Sequence, residues 1–222
     1  MDYLYLKRSV LFEGLTRAQI EEVLPCLDAA LKSYQKGELI YCQGSTHRHL
    51  GLILEGDVRI EYLDAWGHAM LLSIMEQGKT FGEATAVTGD PLAADYIADH
   101  DCKALMLDVP KIMNPCSKGC PKHRTVAHNL PKLLAKRTLE MSRRAFVTSP
   151  RSIRARVMGY LSLAGHAYGT SEFSIPYNRE QLARYLGVDR SALSAELSRM
   201  AKDGLIEFRK NHFKLLAPDL ID

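Results

Sequence analysis

The segment Asn114-Pro-Cys-Ser-Lys-Gly-Cys-Pro-Lys-His123 sets two thiols and an imidazole, Cys116, Cys120 and His123, within eight residues, with His128 just beyond. Thiolate sulfur and imidazole nitrogen are the donors zinc and iron take, so each chain could offer three ligands and a dimer six. The same two thiols could instead oxidise as a pair, or form only the apolar side of a connecting turn. Pro115 and Pro121 argue against one continuous helix here and for a loop. Cys26, Cys42 and Cys102 fall inside apolar patterns and are expected in the core as reduced thiols.

A second group has the chemistry of polyanion recognition. Arg190, Ser191, Ser194 and Ala195 recur on one face of a segment whose other face is Leu193, Leu197 and Met200, which predicts a helix with an apolar inside and a polar outside. The element before it repeats Leu182, Ala183 and Leu186 at helical spacing and ends at Gly187, which can take the positive φ of a sharp turn. Asp189 is suited to cap the second helix. After Gly204, two alternating runs flank Lys210-Asn211, the pattern of a hairpin with a basic tip. Helix, tight turn, helix and hairpin together read as a winged helix-turn-helix, in which Arg190 is the expected base reader. Ser191 and Ser194 would support it, and Arg179, Arg199 and Lys210 would hold phosphates. A helical hairpin that is merely core has the same local pattern.

The charge distribution agrees with a nucleic-acid partner. A net charge of +3 conceals −7 over residues 1–117 and +10 over residues 118–222, and residues 118–156 hold 11 Lys and Arg against the single acid Glu140. Such a field draws in polyanions and displaces their counterions. With 222 residues and 46% hydrophobic content the chain can build about two cores. No apolar run approaches the roughly 20 residues of a membrane span. The start of the chain lacks the charge order of a signal peptide, so a cytoplasmic protein is expected with no membrane partner. No nucleophile–base pair, paired carboxylates or phosphate loop stands at useful spacing, and an enzyme is not expected.

Residues 31–107 break into short alternating runs punctuated by glycines, which predicts an antiparallel β-roll or jelly roll; Glu55-Gly-Asp57 is its best-marked turn, and a helix over 17–27 should pack outside it. Residues 126–145 carry Val126, Leu130, Leu133, Leu134, Met141 and Ala145 at spacings of three or four, an amphipathic stripe fit for a helical dimer seam. Pro131 should interrupt or kink this helix unless it begins there, and the stripe could equally pack on the chain's own roll. The run Thr148-Ser-Pro-Arg-Ser152 reads as a hinge, with Pro150 opening a basic helix over 152–164.

Taken in order, Phe12-Glu-Gly-Leu15, Gln35-Lys-Gly-Glu-Leu-Ile40, Leu52-Ile-Leu-Glu-Gly-Asp-Val58, Asp64-Ala-Trp-Gly67 and Gly78-Lys-Thr-Phe-Gly-Glu83 resemble the effector domain of the CRP/FNR family of bacterial transcription regulators. The resemblance extends over almost the whole chain. It implies an α+β protein with an effector or sensor β-roll over residues 1–117, a dimerisation helix over 118–147 and a winged helix-turn-helix over 148–222. It further implies a homodimer on near-palindromic duplex DNA, with RNA polymerase as a further partner. By the same resemblance the effector pocket would include Phe81, Gly82, Glu83 and Tyr96, and the dimer interface Leu130, Leu133, Leu134 and Met141.

The chain departs from the family pattern in three places. Members that bind cyclic AMP place an arginine about ten residues after Phe-Gly-Glu to pair the cyclic phosphate, whereas here no Lys or Arg occurs between Glu83 and Lys103. A buried phosphate without that partner is costly, so an effector other than cyclic AMP is expected: a small ligand, a metal or a thiol state. Iron–sulfur relatives need an N-terminal cysteine set, and only Cys26 stands there; haem sensors also occur in the family, and the roll holds His47, His49, His68 and His100. In the recognition helix, Ser191 and Ala195 occupy places where relatives carry an acid and an arginine, so the half-site should differ from the usual one. The alternative is a DNA-binding or adaptor protein whose roll is structural and binds no ligand.

Overall fold

The computed structural model describes residues 3–114 and 119–216. The chain divides into two compact units, Met1–Lys136 and Arg137–Asp222.

The first unit opens with α1 (Tyr3–Arg8), a 3-10 turn at Val10–Phe12 and α2 (Arg17–Val23). Thr16 and Gln19 cap α2 reciprocally. The helix expected over 17–27 stops at Val23, and Leu24–Leu27 continue as a 3-10 turn with Pro25 in its first turn. Proline has no N–H to extend the α-helical ladder.

The roll follows as β1 (Ala30–Tyr34), β2 (Leu39–Tyr41), β3 (His49–Glu55), β4 (Val58–Leu63), β5 (Ala69–Met75), β6 (Thr80–Phe81), α3 (Glu83–Thr88), β7 (Asp95–Ala98) and β8 (Cys102–Asp108). Two four-stranded antiparallel sheets result, ordered β1-β8-β3-β6 and β2-β7-β4-β5. At the Glu55-Gly-Asp57 turn Gly56 has φ +75°, and a Cβ there would lie 2.3 Å from the Asp101 carbonyl oxygen. Only glycine lets the hairpin close against that loop.

After β8 come α4 (Val109–Met113) and α5 (Pro121–Thr148). Pro121 occupies the first helical position, where a missing N–H costs nothing, and α5 runs unbroken through Pro131. Leu130 and Leu133 flank that proline and are buried with Val126 among Leu11, Phe12, Leu52, Leu105 and Leu107, so packing outweighs one lost hydrogen bond. This corrects the dimer-interface expectation for Leu130 and Leu133, whose surface is consumed by their own roll. Met141, by contrast, is 68% exposed.

The second unit contains α6 (Ile153–Tyr168), β9 (Glu172–Ser174), α7 (Arg179–Leu186), α8 (Arg190–Lys202), β10 (Ile206–Arg209) and β11 (His212–Leu215). Ser152 caps α6 from Ala155 N–H, so Pro150 precedes the helix rather than opening it. The strands form one sheet ordered β10-β11-β9. Its core joins Leu161, Leu182, Leu186, Leu193, Leu197, Met200 and Phe213.

Candidate nucleic-acid interface and effector pocket

The turn between α7 and α8 is closed from three sides. Asn178 and Gln181 form a capping box at the start of α7, and Gly187 ends it at φ +64°. The Asp189 carboxylate then accepts from the Ser191 hydroxyl and from the backbone N–H groups of Ala192 and Ser191, and these hydrogen bonds hold it below the usual carboxylate range. Arg156 of α6 supplies the third support: its Nε donates to Pro150 O at 2.7 Å and its Nη1 to Leu186 O and Gly187 O, both at 3.0 Å. The last carbonyls of α7 would otherwise lack partners.

With Leu193, Leu197 and Met200 buried, α8 presents Arg190, Ser191 and Ala195 outward, Arg190 and Ser191 being exposed. Ser194 is half-buried; its hydroxyl donates to Arg190 O at 3.0 Å, and Ser198 donates to Ser194 O at 3.1 Å. Both keep acceptor lone pairs for an approaching donor. Ser198, exposed one turn beyond Ser194, extends this face and was not singled out from sequence.

The expected phosphate ligands divide. Lys210 sits exposed at the β10–β11 tip at φ +56°. Arg179 is instead folded inward: its guanidinium lies over Phe208 at 5.2 Å and Phe213 at 6.0 Å, and Nη2 donates to Lys210 O at 3.2 Å. Burial pushes its pKa down. Arg179 therefore ties α7 to the wing. Arg199 pairs at 2.9 Å with Glu196, a carboxylate only 8% exposed, which Arg154 Nε also meets at 2.7 Å. Arg154 reaches Asp203 as well, at 2.7 Å. The Arg154–Glu196–Arg199 set links α6 to α8 and has no sequence signal beyond the charges themselves.

Of the residues expected in the effector pocket, Phe81 meets Tyr96, and Gly82 lies against His47 and Tyr41. Phe81 and Glu83 are buried, and the rings of Phe81, Tyr41 and Tyr96 meet pairwise with centroids 5.9–6.0 Å apart. His47 stacks on Tyr41 at 4.0 Å, and its Cε1 would be 2.8 Å from a Cβ on Gly82. The His47 ring is held at both nitrogens, Nδ1 2.9 Å from His49 O and Nε2 2.8 Å from Thr85 Oγ1, while Tyr41 OH donates to His49 O at 2.8 Å. Burial lowers the His47 pKa.

The thiols scatter. Cys102 is buried and Cys26 half-buried against the first core, as expected. Cys42 is exposed, contrary to expectation, because it follows the edge strand β2 where neither sheet covers it. Cys116 lies outside the described residues. Cys120 is half-buried immediately before α5, and His123 is 1% exposed, its Nε2 donating to Lys111 O at 2.7 Å and its Nδ1 buried without a partner.

Residues 31–118 match the cyclic nucleotide-binding domain and residues 155–220 the Crp-like helix-turn-helix domain. The chain belongs to the CRP/FNR family of transcription regulators. Among solved structures it is similar to the catabolite activator protein of Thermus thermophilus, with 26% identity, 93% of each chain covered and a TM-score of 0.53. The c-di-GMP responsive global regulator CLP of Xanthomonas campestris shares the fold at 17% identity, covering 91% of this chain and 100% of that one with a TM-score of 0.54. FixK2 of Bradyrhizobium japonicum does so at 19% identity, 84% and 92% coverage and a TM-score of 0.51. No curated protein matches the chain. As a member of this family the protein is a DNA-binding regulator, and no helix among its described residues is long and apolar enough to cross a membrane.

Two outcomes follow from the geometry. Arg156→Gln removes charge-assisted bonds to three carbonyls and should cost about 1–3 kcal/mol of stability, read by denaturant unfolding, with faster amide exchange at Val188. His47 has a folded pKa below its ordinary value of 6.5, so the unfolded chain takes up the proton first as pH falls. Stability should therefore drop below about pH 6.5 relative to His47→Gln, measured as thermal midpoints from pH 7.5 to 5; identical pH profiles would contradict the assignment.

Proposed function

We propose that the protein is a homodimeric, sequence-specific regulator acting on a near-palindromic duplex in the cytoplasm, under the control of a signal other than cyclic AMP. The observation that carries the DNA reading is α8 itself: a capped helix with one face locked in the core and Arg190 and Ser191 exposed on the other. On this reading α8 enters the major groove, where the Arg190 guanidinium forks onto guanine O6 and N7. Ser191, Ser194 and Ser198 contact neighbouring edges, and Lys210 and Arg199 take phosphates. Arg179 holds the wing in place. Leu134 and Met141 on α5 form the dimer seam, and a bound dimer would meet RNA polymerase through a surface of its own.

Two features support control by something other than cyclic AMP. No Lys or Arg stands between Glu83 and Lys103 to pair a phosphate, and His47 and Tyr41 lie against Gly82 where such a ligand would have to enter. The signal is a small ligand, a metal or a thiol state. For a metal, Cys116, Cys120 and His123 are the candidate ligands; His123 has its Nε2 fixed by a carbonyl and a bare Nδ1 lone pair, the arrangement of a ligating imidazole. A second reading, in which the roll is structural and the protein binds DNA constitutively, draws on the same aromatic filling of the pocket.

Arg190→Ala should weaken binding to a selected operator by about 1–3 kcal/mol and relax specificity at one position per half-site, measured by fluorescence anisotropy across operator variants. An unchanged variant profile would refute the assignment. Calorimetry of the full chain with cyclic AMP should give no saturable heat, and tight binding would overturn the effector reading.

A further inference from the structure

A shallow groove of about 600 Å³ runs between the Glu13–Gly14 turn and the first turns of α5, entirely within the Met1–Lys136 unit. One wall is Arg124, His128 and Lys132. These residues stand at i, i+4 and i+8, so they share a helix face at steps of about 6 Å. All three are exposed. Their neighbours on the same helix are neutralised: Lys122 pairs with Glu22, and Lys136 lies 3.9 Å from Glu13. Among the described residues Arg124, His128 and Lys132 pair with no carboxylate.

The opposite wall is held rigidly. Asn129, only 2% exposed, donates from Nδ2 to Leu11 O at 3.2 Å and to Glu13 O at 2.8 Å. It pins the Glu13–Gly14 turn, where Gly14 has φ +85° and open space in place of a side chain. The floor is therefore held in place, and the one carboxylate lining the groove, Glu13, lies 3.9 Å from Lys136.

We propose that this groove is a binding site for a small molecule bearing two or more phosphoryl groups. The groove is open to solvent and long enough to lay a small polyanion against the helix face. Arg124 and Lys132 stand eight residues apart, about 12 Å along the helix axis, with His128 midway, so their long side chains must converge on the anionic groups of one ligand. An arginine fork and a lysine ammonium are the side chains that recognise phosphoryl oxygens, with His128 able to add a third donor. The site is distinct from the Phe81–Glu83 pocket and does not depend on the DNA reading.

The test is titration of the full chain with inorganic tripolyphosphate at 150 mM salt, following the ring resonances of its histidines by NMR, with His128 assigned through His128→Gln. The His128 signal should move saturably with one equivalent per chain. Orthophosphate should bind at least tenfold more weakly, and Arg124→Gln/Lys132→Gln should weaken tripolyphosphate at least tenfold. Lys122→Gln, on the same helix but outside the groove, should retain wild-type affinity, and unchanged thermal midpoints would show that the double variant is folded. If the His212 ring in the wing responds while His128 stays still, polyanions bind only the DNA-binding unit and the proposal fails. It fails equally if the double variant binds as tightly as wild type, or if orthophosphate matches tripolyphosphate.

Discussion

The attitude of α8 depends on a carboxylate that has left water. Glu196 lies on the recognition helix itself, 8% exposed, and is bracketed by Arg154 from α6 and Arg199 from its own next turn. A buried charge is tolerated only when it is paired and hydrogen-bonded; stripped of both arginines it would be an uncompensated anion. Because Arg154 also reaches Asp203 at the end of α8, the helix is fixed to α6 at two points along its length. Leucine packing alone would let the helix rotate between similar apolar contacts, whereas an arginine shared between two carboxylates of that helix end specifies one register. Arg156, two residues on, fixes the turn that starts the same helix. Everything the outer face of α8 can read is set by these two guanidinium groups and the leucine core under them.

The roll solves a different problem. Beside its Phe-Gly-Glu turn the rings of Tyr41, His47, Phe81 and Tyr96 lie against one another. Phe81 is buried while Tyr41, His47 and Tyr96 are half-buried, so this aromatic group forms the margin of the roll's core.

The DNA-binding unit was the more legible from sequence because its determinants are local. Gly187, Asp189 and the leucines of α7 and α8 follow the three- and four-residue spacing of helices, and a glycine or a cap acts within a few residues of itself. The wing tip at Lys210 was visible for the same reason. What sequence could not supply were contacts between distant positions: Arg154 with Glu196 is 42 residues apart, His47 with Thr85 is 38, and Arg179 reaches Lys210 across 31. An apolar stripe also does not say what it faces, which is why Leu130 and Leu133 read as a dimer seam and proved to be roll core. Cys42 misled similarly, since a residue inside an apolar run beside an edge strand has one side open.

The central claim, that α8 reads duplex DNA in pairs, is tested most directly by selecting bound duplexes from a random-sequence library with the full chain and sequencing them. The account predicts a near-palindromic site whose half-sites lie about one helical turn, roughly 34 Å, apart. Enrichment of no sequence, with affinity set by salt alone, would contradict it and leave a protein that holds DNA by charge without reading it.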